Sequence, residues 1–165
     1  DNVNIFSTSG PNHFGSKLIK YLDRRGNKCM LPPQEGADIK LAFIESTQII
    51  ETTPMVLRLD GIYFDPEQNY KLRNGGIIQS YNKADGVVFQ SEFNRDICFK
   101  YFGEHKNYSV INNGADLEYM KDIRPLGNPK LDAFETVCCC AAYWRRWKRI
   151  RENNNYFFEH LGPND

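Results

Sequence analysis

The chain has 165 residues, which is enough for one domain of ordinary size and too few for two comfortable ones. Hydrophobic residues make up 41% and charged residues 25%, a globular mix that argues against wholesale disorder. Its 21 basic and 21 acidic residues cancel, which argues against nucleic-acid binding through overall charge but leaves a local basic patch open. No apolar run approaches the roughly 18 residues that a membrane-spanning helix needs.

The cysteines argue against both a disulfide framework and a zinc site. There are five, an odd number, and three of them are consecutive at Cys138, Cys139 and Cys140. No Cys-x-x-Cys pair occurs, and the three histidines stand far from the cysteines in sequence. We therefore expect reduced thiols that act as small core residues, in a cytoplasmic chain.

The first part of the chain predicts short strands around one helix. Apolar residues recur at helical spacing from Phe14 to Leu22, after a plausible N-cap at Asn12 and before a stop at Gly26. The predicted strands of this part are Val3–Ser7, Lys28–Leu31, Ile39–Glu45 and Met55–Leu59.

The second part alternates helices and strands more regularly. The predicted helices lie within Tyr70–Ala84, over Glu92–Phe102 and over about Trp147–Leu161. The predicted strands are Gly86–Gln90, Tyr108–Asn112 and Thr136–Ala142. Residues 116–132 carry two prolines and little periodicity, and are predicted to be a linker.

Apolar strands that alternate with helices predict an α/β fold, a Rossmann-like, mostly parallel sheet with helices on both faces. Ligands of such sheets bind beyond the carboxyl ends of the strands. The loops of interest are therefore Ser9–Ser16, Asp60–Asp65, Ser91–Arg95 and Asn112–Asp116.

The first of these loops has two glycines at the start of a helix, Gly10 and Gly15. Glycine lets a ligand approach the backbone, and free amides with the helix dipole favour a phosphate. The spacing matches neither a dinucleotide-binding loop nor a Walker loop. Turn formation explains the glycines equally well, and His13 is typical of a surface or capping histidine.

The second loop places a carboxylate, Asp60, where a strand ends. Asp60 can orient or deprotonate a hydroxyl, and Tyr63 or Phe64 can stack on a ring. An Asp-Gly turn without function is the alternative, in which Arg58 pairs with a strand neighbour.

Residues 144–151 carry five positive charges in eight residues, together with two tryptophans. Such a cluster can clamp a diphosphate or grip nucleic acid, or it can be the solvated face of a helix. Cations in a first helical turn oppose the helix dipole, which favours a bound anion.

Four strings of the sequence resemble a known family. Ala84–Arg95 (ADGVVFQSEFNR) is followed by Val110–Asp116 (VINNGAD), an order and spacing similar to the amino-terminal half of family-four glycosyltransferases. These have the two-domain GT-B architecture. Phe14–Gly26 and Ala142–Ile150 (AYWRRWKRI) also resemble the family, the latter at the first strand and loop of its donor domain.

The resemblance implies a retaining glycosyltransferase that moves a hexosyl group from a nucleotide sugar to a hydroxyl of a glycan, a lipid or a protein glycan. In the family the acceptor lies on the amino-terminal domain and the donor mainly on the carboxy-terminal one. Neither a metal nor another cofactor is implied, because arginine and lysine neutralise the leaving diphosphate.

The resemblance also implies roles by position. Gly15 and Ser16 would face the donor diphosphate, which Arg145 and Lys148 would bind. Asp60 stands near a position where many members have a histidine that contacts the sugar or the acceptor, so its Asp-Gly form is a variant. The acceptor-side candidates are His13, Tyr63, Ser91 and Arg95.

By the same resemblance, residues 1–132 form the acceptor-side domain, with a linker from about 116, and residues 133–165 begin a donor domain. The family's glutamate-bearing donor loop has no counterpart, so we expect this chain to be inactive without a donor domain. Peripheral contact with a membrane stays open. The alternative is a stand-alone module that binds nucleic acid or an acidic surface through residues 144–151; the glycosyltransferase interpretation expects no nucleic acid.

Overall fold

The computed structural model describes residues 1–7, 9–32, 34–48, 52–115, 117–124, 127, 130, 134, 137 and 148–160. The chain divides into two units, Asp1–Ala115 and Asp116–Asp165. Apart from Val137, the predicted strand Thr136–Ala142 lies outside the described residues. The division into domains at residue 132 stays a prediction.

The first unit is an α/β domain with a four-stranded, all-parallel sheet in the order β1-β2-β3-β4. The strands are β1 (Lys40–Phe43), β2 (Met55–Leu59), β3 (Gly86–Phe89) and β4 (Tyr108–Val110). The helices of this unit are α1 (Gly10–Arg24), α2 (Tyr70–Arg73), α3 (Gly75–Lys83) and α4 (Glu92–Phe102). The predicted Rossmann-like fold class is confirmed.

Helices cover both faces of the sheet. Because parallel crossovers are right-handed, a sheet that grows in one direction places α3 and α4 on the same face. That face holds the hydrophobic core, whose buried members include Leu57, Leu59, Ile77, Tyr81, Val87, Phe89 and Cys98. The opposite face meets α1, where the rings of Phe14 and Phe43 lie 6.0 Å apart.

Two predicted strands are wrong. Residues 3–7 form no strand, because Asn4 starts a turn in which its side chain accepts from the Phe6 amide at 3.0 Å and its carbonyl from Ser7 at 3.0 Å. Asparagine favours such turns over extended backbone, and the ring of Phe6 is 90% exposed. Residues 28–31 also have no regular structure: they lie just after the end of α1 and run into Pro32, which limits strand pairing.

The first helix begins earlier than its predicted N-cap. α1 starts at Gly10 with Pro11 in its first turn, where the missing amide of proline costs no hydrogen bond. Asn12 lies inside the helix, and its side chain accepts from the Asn4 amide at 2.9 Å. Gly26, with φ +81°, supplies the predicted stop.

The predicted helix over Tyr70–Ala84 is divided at Asn74. The buried carboxamide of Asn74 accepts from the Tyr63 amide at 3.0 Å and donates to the Tyr63 carbonyl at 2.7 Å. These two bonds tie the loop after β2 to the start of α3. The carboxylate of Glu45 occupies the space that a side chain at Gly76 would need. Glycine at position 76 therefore permits a close approach and does not merely weaken the helix.

The residues after β1 are held by a buried ion pair at the edge of the sheet. Lys40 Nζ lies 3.0 Å from the Asp1 carboxylate, which also accepts from the Thr47 hydroxyl at 2.6 Å and the Thr47 amide at 3.0 Å. Burial lowers the pKa of Lys40 and, together with the Lys40 charge, lowers the pKa of the Asp1 amino group to about 6.

The second unit contains two described helices, α5 (Leu117–Lys121) and α6 (Ile150–His160). α5 lies in the predicted linker, so that segment is not wholly irregular. α6 matches the predicted last helix but begins three residues later than its predicted first residue, Trp147.

The buried thiol of Cys98 makes the stability of the first unit sensitive to alkali. Burial raises the pKa of this thiol from 9.0 to about 12, so the unfolded chain loses the proton first as pH rises. The stabilisation is complete below pH 9 and is lost toward pH 12. We expect the free energy of unfolding to fall by about 2 kcal/mol between neutral pH and about pH 10.5 on this account.

Urea titrations at the two pH values measure this loss, with Cys98→Ala as the control for the thiol. The variant loses core packing at both pH values, but its pH-dependent loss should be smaller by the thiol contribution. An unchanged pH-dependent loss in Cys98→Ala would show that the thiol does not cause it.

Candidate functional site

The carboxyl ends of β2, β3 and β4 meet at one edge of the sheet, where four residues form a closed hydrogen-bonded ring that includes the backbone carbonyl of Asp60. Arg58 Nη1 pairs with Asp60 Oδ1, and Arg58 Nη2 donates to Asn113 Oδ1 at 2.8 Å. Asn113 Nδ2 donates to Gln90 Oε1 at 2.9 Å, and Gln90 Nε2 donates to the Asp60 carbonyl at 2.5 Å. We call Arg58, Asp60, Gln90 and Asn113 the strand-end ring.

Arg58 is the buried member of the strand-end ring, with its side chain 7% exposed. Its guanidinium lies 4.0 Å from the ring centre of Phe14 and 5.6 Å from that of Phe43. Stacking of a guanidinium on aromatic faces is favourable, and it leaves the in-plane N–H groups free to point at acceptors. Arg58 is thus held between α1 and the sheet edge.

Asp60 is the member that a ligand can reach. Its side chain is 28% exposed, and only Oδ1 is held by Arg58. Among the described residues, no hydrogen bond reaches Asp60 Oδ2. One carboxylate oxygen is therefore fixed by the protein and the other is open to accept a hydrogen bond from a hydroxyl.

The backbone around Asp60 is fixed from the neighbouring elements. In the amide orientation that satisfies both its neighbours, buried Asn94 of α4 donates to the Leu59 carbonyl at 3.1 Å and accepts from the Gly61 amide at 3.2 Å. Asn112 also donates to the Gln90 carbonyl at 3.0 Å, which ties the end of β4 to that of β3. The turn that presents Asp60 is thus held on both sides.

Ser91 and Arg95 lie on the first turns of α4. The Ser91 hydroxyl accepts from the Asn94 amide at 3.1 Å, so it caps the helix. Arg95 donates twice to Asp96, at 2.8 and 2.9 Å, and these bonds are the main cause that raises its guanidinium pKa. Both side chains are occupied locally, and their acceptor-side roles stay predictions.

Tyr63 lies in the loop after β2, in the same segment as Asp60. Its backbone is held by Asn74, and the Arg73 guanidinium lies 5.1 Å from its ring centre. The ring is 37% exposed, so it remains available for stacking on a ligand.

The residues predicted in the first loop lie within α1. Gly15 is buried in the helix, where a Cβ would stand 2.9 Å from two methyl groups of Val3, so its lack of a side chain serves packing. The Ser16 hydroxyl donates to the Asn12 carbonyl at 2.9 Å, and His13 is exposed. No diphosphate contact follows from this geometry, and that role stays a prediction.

Of the predicted diphosphate-binding pair in the second unit, Arg145 lies outside the described residues. Lys148 is exposed, just before α6. Arg149, with φ +54°, directly precedes α6, and its carbonyl accepts from the Asn153 amide at 2.9 Å. The cations at 148, 149 and 151 therefore lie at the N-terminal end of α6, where the helix dipole favours an anion.

A groove of about 450 Å³ opens beside the first turn of α1. The neutral polar side chains of Asn2, Asn4, Asn12 and Gln48 line it, together with the acidic Asp1 and the apolar Ile44. No described basic side chain is among its lining residues, which suits an uncharged ligand better than a polyanion.

Three members of the strand-end ring, Arg58, Gln90 and Asn113, were not predicted from the sequence to be functional residues. Arg58 was expected only to pair with a strand neighbour, and Gln90 and Asn113 carried no assignment of their own. The available signal was their common position at strand ends, because parallel strands bring those ends to one edge.

Comparison with known proteins adds no relative: no family model, curated protein or solved structure matches this chain. What the structure defines is the class, an α/β protein with an all-parallel sheet and a polar ring at its carboxyl edge. No helix in the described part of the chain is long and apolar enough to cross a membrane.

Proposed function

We propose that this chain is the acceptor-side part of a retaining glycosyltransferase, which transfers a hexosyl group from a nucleotide sugar to a hydroxyl. The observation that carries the proposal is the open Oδ2 of Asp60 at the carboxyl edge of a parallel sheet. The order of the ADGVVFQSEFNR and VINNGAD strings supports it, because residues 84–95 span β3 and the first turn of α4, and residues 110–115 run on from the end of β4.

In this proposal Asp60 accepts a hydrogen bond from the reacting hydroxyl and orients its oxygen toward the sugar donor. A fixed carboxylate saves the entropy of aligning two groups, which is a large part of what positioning contributes to rate. Tyr63, in the same loop, offers an aromatic face against which a sugar ring packs.

The strand-end ring does not line the groove beside α1, whose side chains suit the uncharged remainder of a hydroxyl acceptor. Carboxamides both donate and accept hydrogen bonds, so asparagine and glutamine side chains match the paired donor and acceptor character of sugar hydroxyls. A nucleic acid or another polyanion calls instead for a basic surface.

The cations before α6 support the donor side of the proposal. Lys148 and Arg149 are exposed at a helix N-terminus, where their charge and the free backbone amides favour the same kind of ligand, an anion such as a diphosphate. The helix dipole opposes them when no anion is bound.

The test is a binding screen on the 165-residue chain by saturation-transfer NMR. The probes are the methyl α-glycosides of glucose, galactose and mannose. A single-stranded RNA oligonucleotide is tested separately as the ligand of the alternative function. We expect saturation transfer to at least one glycoside. We also expect no release of nucleoside diphosphate when the chain alone meets UDP-glucose or GDP-mannose.

Two results would contradict the proposal. Absence of binding to every glycoside would remove the acceptor role. RNA binding that weakens steeply with salt, and that is lost when Lys148, Arg149 and Arg151 are neutralised, would instead favour the nucleic-acid-binding alternative.

A further inference from the structure

We infer that Arg58 is a positioning residue, which aims the open oxygen of Asp60 at the acceptor hydroxyl through the strand-end ring. The inference rests on the proposed function and adds to it a residue that touches no substrate. It assigns to Gln90 and Asn113 the task of fixing the direction of the Arg58 guanidinium.

The first step is the fixed plane of the guanidinium. The guanidinium carbon lies over the rings of Phe14 and Phe43, 4.0 and 5.6 Å from their centres, so the side chain is held by packing as well as by hydrogen bonds. In the sheet, Arg58 is in register with Phe43 on β1 and with Val88 on β3. Its backbone therefore lies on an interior strand that is hydrogen-bonded on both sides.

The second step is that the two terminal nitrogens of Arg58 bind different partners. Nη1 holds Asp60 Oδ1, while Nη2 holds Asn113 from a segment 55 residues away in sequence. A guanidinium makes both bonds in a fixed fork, whereas a lysine ammonium is a point charge on a flexible stem. The direction of the Asp60 carboxylate therefore depends on the shape of Arg58 as well as on its charge.

The third step is that stability alone does not explain the arrangement. Burying a charged pair costs desolvation energy, and well-packed apolar residues in its place are often as stable. A purely structural pair has no need to leave one carboxylate oxygen open at the sheet edge. Here Arg58 is buried and Asp60 is partly exposed. This is expected when a buried residue positions a neighbour that contacts the ligand.

The experiment compares Arg58→Lys, Arg58→Met and Asn113→Ala with the wild-type chain. The measurement is the dissociation constant for the methyl glycoside that gives the strongest wild-type signal, taken by NMR titration, with urea unfolding of each variant alongside. Arg25→Met is the matched control, because Arg25 also lies over an aromatic ring, that of Tyr21 at 4.8 Å, but outside the strand-end ring.

We expect Arg58→Lys and Arg58→Met each to weaken glycoside binding about tenfold, because the carboxylate of Asp60 loses the partner that aims it and its own hydrogen bond to the ligand is weakened. Asn113→Ala leaves both Asp60 and Arg58 in place and removes an exposed side chain, so it should fold normally and still weaken binding. Arg25→Met should bind as the wild type does.

Wild-type affinity in Arg58→Lys or in Asn113→Ala would overturn the inference while leaving the proposed function in place. If Arg58→Met fails to fold, those two variants still decide the matter. Failure of the wild-type chain to bind any of the three glycosides would contradict the proposed function itself, and the positioning role with it.

Discussion

Replacing Asp60 with asparagine is expected to weaken glycoside binding at least about tenfold while the chain remains folded. The substitution keeps an oxygen that accepts from Arg58, but the group loses its charge and presents either an amide nitrogen or a neutral oxygen to the ligand. A charged acceptor makes roughly twice as strong a hydrogen bond to a hydroxyl as a neutral one does. NMR titration with the methyl glycosides measures the effect.

Asp65→Asn is the matched control for Asp60→Asn. Asp65 lies in the same loop and caps a short helical turn by accepting from the Glu67 amide at 2.9 Å, but it belongs to no part of the strand-end ring. It should bind glycoside as the wild type does. Equal losses in the two variants would indicate a general effect of charge in the loop and would remove Asp60 from the site.

Replacing Phe89 with alanine is expected to lower the free energy of unfolding by about 3–5 kcal/mol. Phe89 is fully buried on β3, and its ring meets those of Phe99 and Tyr108 edge to face at 5.7 and 6.1 Å. The alanine variant loses these contacts and leaves a cavity that a parallel sheet between two helix layers closes only in part. Urea denaturation of the two proteins measures the difference.

Phe93→Ala provides the control four residues further along the chain. Phe93 lies on the first turn of α4 and is 67% exposed, so its removal should change the free energy of unfolding by no more than about 0.5 kcal/mol. A loss at Phe89 as small as that at Phe93 would mean that the core described for the first unit does not determine its stability.

The elements that the sequence predicted well are those whose local signals agree with their tertiary setting. α4 has an N-capping serine before it and a glycine with φ +90° after it, and its predicted bounds match the observed ones. β2 and β3 are short apolar runs between turn residues, as buried parallel strands are. In these segments the local preference and the packing point to the same structure.

The secondary-structure predictions were wrong in segments whose conformation is determined by a few side-chain hydrogen bonds. Residues 3–7 are apolar enough for a strand, but the carboxamide of Asn4 offers the backbone a turn instead. The break at Asn74 depends on its two bonds to Tyr63, which lies 11 residues earlier in the chain. Such bonds depend on the folded arrangement and leave no periodic signal.

The sequence predicted where the candidate site lies in the fold but not which residues surround Asp60. The rule that parallel strands present their carboxyl ends together located Asp60 and the loop after β4 correctly at one edge. The partners of Asp60 were not predictable, because the sequence around Arg58 is equally typical of a strand residue that pairs with a neighbouring strand. Its contact with Asn113 joins segments 55 residues apart, which only the sheet order brings together.

The most direct test of the central claim is a titration of the ¹⁵N-labelled chain with the three methyl glycosides, followed by amide chemical shifts. The account predicts that the shifts concentrate at Asp60, Gly61, Gln90 and Asn113 at the carboxyl edge of the sheet. Shifts confined to residues 148–151, or no shifts at the strand-end ring with any glycoside, would contradict it.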